Sequence, residues 1–340
     1  MEILLSLFLI GAGFNVDAKH EAGPVYGNSS HAGRYEIDCS YPLVADVARL
    51  CFGLDRVPAD KSIEDLFGEA LERNDYEPLK KLSDRVMEAD FRLAKRLSSS
   101  DKSNCYNEFF KTFHEANFLT FNYDSLPEIF LFRRGRWYPH DGYGVPVQAE
   151  LSPLHDKFVD GQSKSLVLHL HGSLCLYTSK YEKQHSDGDS IPQLVRLGRP
   201  RFGFDADSIT PCFFWYQRAM STTGHVPIAE RVIVPVPNKA EELKQPFISE
   251  TYAKACSLVR ESGTLVAVGY SFTRHDRASY APILEALSES HDRKLVIVSP
   301  EARNLADKII GQYDNLRITP IDKTFKAWAK DSFRCECHAR

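Results

Sequence analysis

The sequence lacks several patterns that would define a class of protein. None of its eight cysteines belongs to a C-x-x-C pair, the arrangement from which zinc ribbons are built. No apolar stretch approaches the roughly 20 residues that a membrane-spanning helix needs. A net charge of -4 gives no general attraction to nucleic acid or to anionic membranes. We therefore expect a soluble protein without structural zinc, without a membrane span and without direct nucleic-acid binding.

The amino-terminal segment is apolar but does not have the layout of a secretory signal. No Lys or Arg precedes the apolar run at residues 3–10, which leads directly into Gly11-Ala12-Gly13. We interpret the run as a buried first strand and expect a cytoplasmic protein with reduced cysteines. The one cluster of thiols, Cys335-Glu336-Cys337-His338, leaves a carboxy-terminal metal site as a less favoured alternative.

A helical segment interrupts the first part of the chain. Ser62 and Asp65 form an N-cap signature ahead of apolar residues at helical spacing, and a second helix is predicted after Pro78. Its apolar stripe consists of Leu79, Leu82, Val86, Leu93 and Leu97. We assign residues 55–113 to a helical insertion between two parts of one core, 1–54 and 114–330. The core contains an irregular insertion near 176–230, and residues 331–340 form a tail.

The core itself alternates strands and helices. Strand-like segments bounded by turn residues lie at 118–121, 166–170, 231–234, 264–268 and 294–298. Helical patterns at 249–260 and 280–287 separate the later strands, which favours right-handed βαβ crossovers. The predicted fold class is α/β, a Rossmann-like parallel sheet with helices on both faces and a helical insertion.

Glycine follows the first predicted strand. Gly11 and Gly13, on either side of Ala12, permit a tight turn and let main-chain N–H groups approach a pyrophosphate at a helix N-terminus. The third glycine of G-x-G-x-x-G is missing, and no acidic residue stands convincingly at the end of a second strand. A hydride-transfer dehydrogenase therefore fits poorly. A plain strand-to-loop turn is the alternative interpretation.

Polar side chains follow the next two strands, and in an open α/β sheet ligands bind at the carboxyl ends of strands. The amide of Asn122 is suited to orient a water or a ribose hydroxyl, and Asp124 to accept from a hydroxyl, although an Asx turn is the alternative. Imidazole is the usual general base near neutral pH. We interpret His169 as a hydrogen-bonded core residue and His171, beside Gly172, as the functional one. A metal-binding histidine pair is a further alternative.

The last two strands also end in polar groups. Gly269, Tyr270, Ser271 and Asp276 follow the segment at 264–268, where a phosphate or ribose contact is plausible. Ser299 follows the segment at 294–298 and is placed to hold an adenine edge or a ribose. A simple turn is the alternative for Ser299.

Taken in order, the motifs GAG, FNYD, HLHG, VGYS with Asp276, and VSP resemble the sirtuin-like domain of bacterial NAD-hydrolysing defence enzymes. In that family a GAG-x-S loop, a T-x-NYD motif, an HG motif and a GYS-x-x-x-D motif build the NAD pocket. The matching stretches run from Gly11 to Pro300, and neither insertion is covered. Asn15 replaces the family's serine and Phe121 a threonine, which alters pocket details but removes no reacting group.

The resemblance implies that Asn122 is the catalytic asparagine and His171 the catalytic histidine. It implies that NAD, as the substrate, is contacted through Gly11, Ala12, Gly13, Phe14, Asn15, Asp124, Gly172, Gly269, Tyr270, Ser271, Asp276 and Ser299. Protein deacylases of the wider family carry a zinc ribbon for which this chain has no C-x-x-C pair. Hydrolysis to nicotinamide and ADP-ribose is therefore expected, with a cyclised product left open.

The resemblance also implies a biological setting. Such domains are NAD-depleting effectors of anti-phage defence, and the implied partners are further copies of the chain and a separate sensor subunit, such as a HerA-type ATPase or a short Argonaute. A non-catalytic NAD or ADP-ribose sensor and, less favoured, a protein deacylase are the alternative functions.

Overall fold

A computed structural model of the protein describes residues 7–29, 33–36, 39–98, 104–138, 141–145, 148–149, 162–177, 193–194, 231–233, 246–289, 292–313 and 315–333. The strands, numbered along the chain, are β1 (Leu7–Ile10), β2 (Tyr26–Ser29), β3 (Gly33–Glu36), β4 (Phe118–Thr120), β5 (Gln148–Ala149), β6 (Val167–His169), β7 (Gly172–Tyr177), β8 (Gln193–Leu194), β9 (Arg231–Ile233), β10 (Thr264–Val268), β11 (Lys294–Ser299) and β12 (Arg317–Asp322).

Helices pack around a central sheet. They are α1 (Ala18–Ala22), α2 (Val44–Phe52), α3 (Ile63–Glu72), α4 (Glu77–Ala89), α5 (Lys95–Ser98), α6 (Cys105–Thr112), α7 (Leu126–Arg133), α8 (Pro246–Glu261), α9 (Arg277–Ser288), α10 (Ala302–Ile310) and α11 (Phe325–Phe333). None of the helices in the described ranges is long and apolar enough to cross a membrane.

The central sheet has six strands in the order β6-β4-β1-β10-β11-β12, and every neighbouring pair is parallel. The first strand lies in the middle, the next two follow on one side and the last three on the other. This is the strand order of dinucleotide-binding Rossmann folds, in which the order reverses beside the first strand. The predicted α/β fold with a Rossmann-like parallel sheet is confirmed.

The carboxyl ends of four neighbouring strands, β6, β4, β1 and β10, lie in one row. Ile10 is the register partner of both Thr120 and Val268, and Thr120 is the partner of His169. The strands are continuous apolar runs because both faces of the sheet are covered, as Phe8 illustrates by stacking on Phe118 with its side chain fully buried. The loops that follow these strands therefore emerge side by side at the same end of the sheet.

The segment between β1 and β4 contains the predicted helical insertion. Ser62 caps α3 by accepting a hydrogen bond from the Asp65 N–H, while the Asp65 carboxylate accepts one from the Ser62 N–H, so the predicted N-cap is confirmed. All five residues of the predicted apolar stripe are buried. The helical part begins at Val44, before residue 55, because α2 packs against α4.

Two strands differ from the sequence prediction. β9 does not belong to the parallel sheet but pairs antiparallel with β7 in a second sheet, of order β5-β8-β7-β9. β12, the sixth strand of the central sheet, was not predicted. It lies at an edge and contains Pro320, which is tolerated there because an edge strand needs fewer ladder hydrogen bonds.

Parts of three predicted segments fall outside the described residues. These are residues 3–6 of the first strand, the irregular insertion near 176–230 apart from 176–177 and 193–194, and residues 334–340 of the tail.

Candidate functional site

The loops after β1, β4, β6 and β10 carry most of the predicted site residues. Asn122, His171 and Gly269 all follow the row of strand ends formed by Thr120, His169 and Val268. Direct contacts join the loops: Gly11 N–H donates to Val268 O at 3.0 Å, and the Asn122 amide donates to Gly11 O at 3.3 Å. The structure thus brings these residues together where the strand order reverses.

The glycines of the first loop allow two backbones to touch. Gly13 N–H donates to Gly269 O at 2.8 Å. A Cβ at Gly11 would lie 2.6 Å from the Tyr270 Cα, and one at Gly13 would lie 2.8 Å from the Gly269 Cα. No side chain fits at such distances, so glycine is required at both positions for loop packing.

Most main-chain N–H groups of this loop are bonded within the protein, and the predicted phosphate contact stays a prediction. The N–H groups of Gly11, Gly13, Phe14 and Asn15 all donate to main-chain carbonyls. Residues 12–14 form one turn of 3-10 helix, and α1 begins only at Ala18, so no α-helix starts at the glycines. Among residues 11–15, Ala12 is the exposed one.

Phe14 is a core residue, which corrects its assignment as a ligand contact. Its side chain is fully buried, with the ring centroid 4.3 Å from that of Phe325 and 5.3 Å from that of Tyr106. An apolar ring after a glycine turn packs inward here because α6 and α11 cover the loop. No sequence pattern indicated that cover, since α11 was not predicted.

Asn15 faces the loop after β4. Its amide Nδ2 donates to Asp124 Oδ2 at 2.6 Å, and both side chains are buried. Its amide oxygen Oδ1 is buried and has no hydrogen-bond partner among the residues that the structure describes. A buried polar atom without a partner is rare in proteins and costs free energy, so Asn15 Oδ1 is a place where an N–H donor of a ligand would be stabilised.

Asn122 is held from three strands. Its main-chain N–H donates to Thr120 Oγ1 at 3.0 Å, its main-chain oxygen lies 3.1 Å from His169 Nδ1, and its amide Nδ2 donates to Gly11 O. The side chain is half-buried. With Nδ2 directed to β1, the amide oxygen is the acceptor that Asn122 offers to a ligand or a water.

His171 lies at the corner where the chain leaves the central sheet. Gly172 has a φ of 79°, in the left-handed region that favours glycine, and the chain then enters β7. His171 Nε2 and Ser279 Oγ, 2.8 Å apart, share a hydrogen bond. The imidazole packs on Phe121 with ring centroids 4.6 Å apart, and Phe121 stacks on Tyr270. The ring is therefore fixed by α9 and by two neighbouring loops.

His169 is a hydrogen-bonded core residue, as predicted. Its Nε2 lies 2.5 Å from Glu128 Oε1, and both side chains are buried. Burial lowers the pKa of the imidazole, but the Glu128 carboxylate outweighs this effect and the net pKa is raised. His169 and His171 thus have different partners, on α7 and α9, and do not form the metal-binding pair considered from the sequence.

Two buried carboxylates, Asp124 and Asp90, lie in the loop after β4 and next to it. Burial raises the pKa of Asp124 to about 6, although the hydrogen bond from Leu126 N–H lowers it. Burial and the neighbouring Asp124 charge raise the pKa of Asp90 well above its ordinary value. Asp90, in the helical insertion, accepts from Tyr41 Oη at 2.6 Å and from Ser125 N–H at 3.1 Å. The hydrogen bond from Ser125 therefore joins the helical insertion to the loop that carries Asn122.

The remaining predicted site residues lie at the carboxyl ends of β10 and β11, and their side chains differ in exposure. Tyr270 is buried, whereas Ser271 is exposed and Asp276 accepts a hydrogen bond from Thr273 Oγ1. Burial raises the pKa of Tyr270, and the nearby Asp276 carboxylate raises it further. Ser299 accepts from Glu301 N–H at 3.3 Å, as expected of the simple turn considered for it.

A comparison of the chain with protein-family models and with curated proteins finds no match. Fold and site geometry therefore carry the functional argument. Among the described residues, no group of three or more His, Cys, Asp or Glu side chains is arranged to hold a metal ion.

Three functional neighbours were missed by sequence reasoning: Ser279 on α9, Glu128 on α7 and Asp90 in the insertion. Ser279 contacts His171 across 108 positions, Glu128 contacts His169 across 41, and Asp90 accepts from Ser125, in the loop that carries Asn122, across 35. Each lies in a helical segment, where a polar residue does not stand out from the surrounding sequence pattern. Only the tertiary packing reveals these contacts.

Proposed function

We propose that this protein hydrolyses NAD at the bond between nicotinamide and ribose, releasing nicotinamide and ADP-ribose. The observation that carries the proposal is the convergence of Asn122, His171 and the glycine turn at the point where the strand order reverses. Dinucleotides bind at this point in folds with this strand order. Fold alone does not fix an activity, so the argument depends on the side chains present.

Two of these side chains have the chemistry that hydrolysis needs. As the C–N bond to nicotinamide breaks, positive charge develops on the ribose and a water attacks. The Asn122 amide oxygen is suited to orient that water, and the His171 imidazole to take a proton from it or from a ribose hydroxyl. The contact of His171 with Ser279 and the three contacts of Asn122 preorganise both groups before substrate arrives.

The buried Asn15 amide oxygen supports a nicotinamide-containing substrate. Within the described ranges it has no donor, and the neighbouring Asp124 carboxylate is a second acceptor. A carboxamide NH₂ would satisfy such acceptors. The sequence resemblance adds the setting: an NAD-depleting effector of anti-phage defence, assembled with further copies of itself or with a sensor subunit.

The test is nicotinamide release from NAD, measured for the wild type and for Asn122→Ala and His171→Ala. We expect each variant to lose about 10²- to 10⁴-fold in turnover, because loss of an acid–base or positioning group typically costs that much. His114→Ala is the matched control, since His114 is half-buried and precedes β4, at the end of the strands opposite to the site. It should retain wild-type turnover.

Other outcomes would assign a different function. Release that requires an acyl-lysine peptide would indicate a deacylase, and NAD-dependent thermal stabilisation without release would indicate a binding sensor. A folded His171→Ala protein with wild-type turnover would contradict the role given to the histidine. The variants are compared only after circular dichroism has established that they are folded.

A further inference from the structure

A buried pair of ionisable groups lies directly behind Asn122. His169 ends β6, Glu128 lies in the first turn of α7, and their side chains have 0% and 1% relative exposure. The pair is joined at 2.5 Å through Nε2 and Oε1, and the other ring nitrogen, Nδ1, lies 3.1 Å from the Asn122 main-chain oxygen. The imidazole therefore bridges the helix after β4 to the loop that carries Asn122.

The hydrogen-bond partners of the His169 imidazole determine which of its nitrogens must donate. A carbonyl oxygen can only accept, so His169 Nδ1 must carry a hydrogen and donate it to Asn122 O. At Nε2, the 2.5 Å separation from Glu128 Oε1 is that of a hydrogen bond, which holds the ring in place. The pair therefore directs a hydrogen-bond donor at Asn122.

We propose that His169 and Glu128 are positioning residues that set the orientation of Asn122 for NAD hydrolysis, an inference that rests on the proposed function. Asn122 has polar contacts to Thr120 and Gly11 as well, but these come from its own strand and from β1. The His169 contact fixes the peptide that follows Asn122, and so determines how far its amide reaches past the strand end.

Stability alone does not explain the pair. Buried ion pairs are often no more stabilising than apolar side chains of similar volume, because both charges must be removed from water. Here Glu128 Oε2 is buried and finds no hydrogen-bond partner in the described part of the chain, which adds to the cost. A purely structural role would be served as well by two leucines. What leucines lack is the donor to Asn122.

The test compares two double variants that differ by this donor. His169→Leu with Glu128→Leu removes the whole pair and leaves no unpaired buried charge. His169→Asn with Glu128→Leu restores an N–H donor near the position of Nδ1. We expect the first variant to lose about 10- to 100-fold in kcat with little change in KM, because small displacements of catalytic groups have effects of this size. We expect the second to recover to within a few-fold of wild type.

Hydrogen exchange of residues 121–126 provides a readout that does not depend on NAD. The leucine pair should accelerate exchange there without affecting β10, and the asparagine variant should reverse this. Equal kcat and equal exchange in both variants and wild type would overturn the positioning role. If the wild type does not hydrolyse NAD, the proposed function fails, and the exchange data alone decide whether the pair orders the Asn122 loop.

Discussion

Among individual residues, Asp124 has an electrostatic environment that can be tested directly by its effect on stability. It is buried, accepts hydrogen bonds from Asn15 Nδ2 and Leu126 N–H, and lies near the Glu128 carboxylate. Burial outweighs the hydrogen bonds and raises its pKa to about 6, so the folded protein binds a proton at Asp124 more tightly than the unfolded chain. This difference links the stability of the protein to pH.

Asp124→Asn should remove this linkage. Because the folded-state pKa lies above the unfolded-state value of about 3.9, the stabilising effect of the proton is complete below about pH 4 and is lost as pH rises to about 6. Relative to Asp124→Asn, the wild type should therefore lose about 2–3 kcal/mol in free energy of unfolding over this window. Urea titrations between pH 4 and 7 measure the difference, with exposed Glu72→Gln as the control. A difference that does not vary with pH would contradict the assignment.

The sequence was sufficient to find residues that follow apolar strands. Asn122 and His171 stand out because a polar side chain after a buried run has few structural reasons to be there, and register then brings them to one edge. Phe14 was misassigned because its role depends on α11, more than 300 positions away along the chain. Glu128 and Ser279 escaped notice for the same reason, since no local pattern marks a contact between distant segments.

At the scale of elements, the loops after β1 and β10 form a single backbone-packed unit. Gly269 has a φ of 65°, and a Cβ there would lie 2.2 Å from Phe14 N. Together with the Gly13 hydrogen bond to Gly269 O, this leaves no room for a side chain between the loops. The first glycine turn is therefore required for packing whether or not it contacts a phosphate.

Gly269→Ala should be markedly more destabilising than Gly53→Ala. Both glycines have positive φ, 65° and 68°, but a Cβ at Gly53 would have no atom within 4 Å. Gly53 is in the left-handed helical region, so Gly53→Ala should cost about 1 kcal/mol from backbone strain. Gly269→Ala adds overpacking, for a total of about 2–4 kcal/mol. Chemical denaturation measures both values, and equal costs would mean that the loops separate easily.

Elements were predictable where local pattern and tertiary role agree. The capped helix α3 and the apolar strands β1, β10 and β11 follow directly from spacing and hydrophobicity. β12 was missed because an edge strand needs little apolar character, and its residues are mostly half-buried or exposed. β9 resembles a core strand in sequence, but its pairing partner β7 lies in another sheet, which periodicity cannot reveal.

At the scale of the molecule, the two ends of the described chain meet at the loop after β1. β1 lies between strands that begin at Phe118 and Thr264, and the final helix, α11, returns to the start of the chain. Lys326 Nζ lies 2.7 Å from Glu21 Oε1, and the Phe325 ring packs on Phe14. Both ends of the described chain thus support the loop that borders Asn122, which links the site to the global fold.

Because α11 packs on the loop after β1, substitution of Phe325 tests whether this distant helix stabilises that loop. The Phe325 side chain is buried against Phe14 and Tyr106, so Phe325→Ala should lower the free energy of unfolding by about 3–5 kcal/mol. Phe333→Ala, on the same helix, is the matched control: Phe333 is half-buried and packs on Phe113 and Trp328.

We expect the control to cost less and to leave hydrogen exchange at residues 11–15 unchanged, whereas Phe325→Ala should accelerate exchange there because Phe14 loses its packing partner. Thermal stabilisation by added NAD should fall in parallel with that acceleration, since a disordered first loop must be ordered again before ligand binds. A Phe325→Ala protein with wild-type exchange in the first loop would show that α11 stabilises the fold without supporting the site.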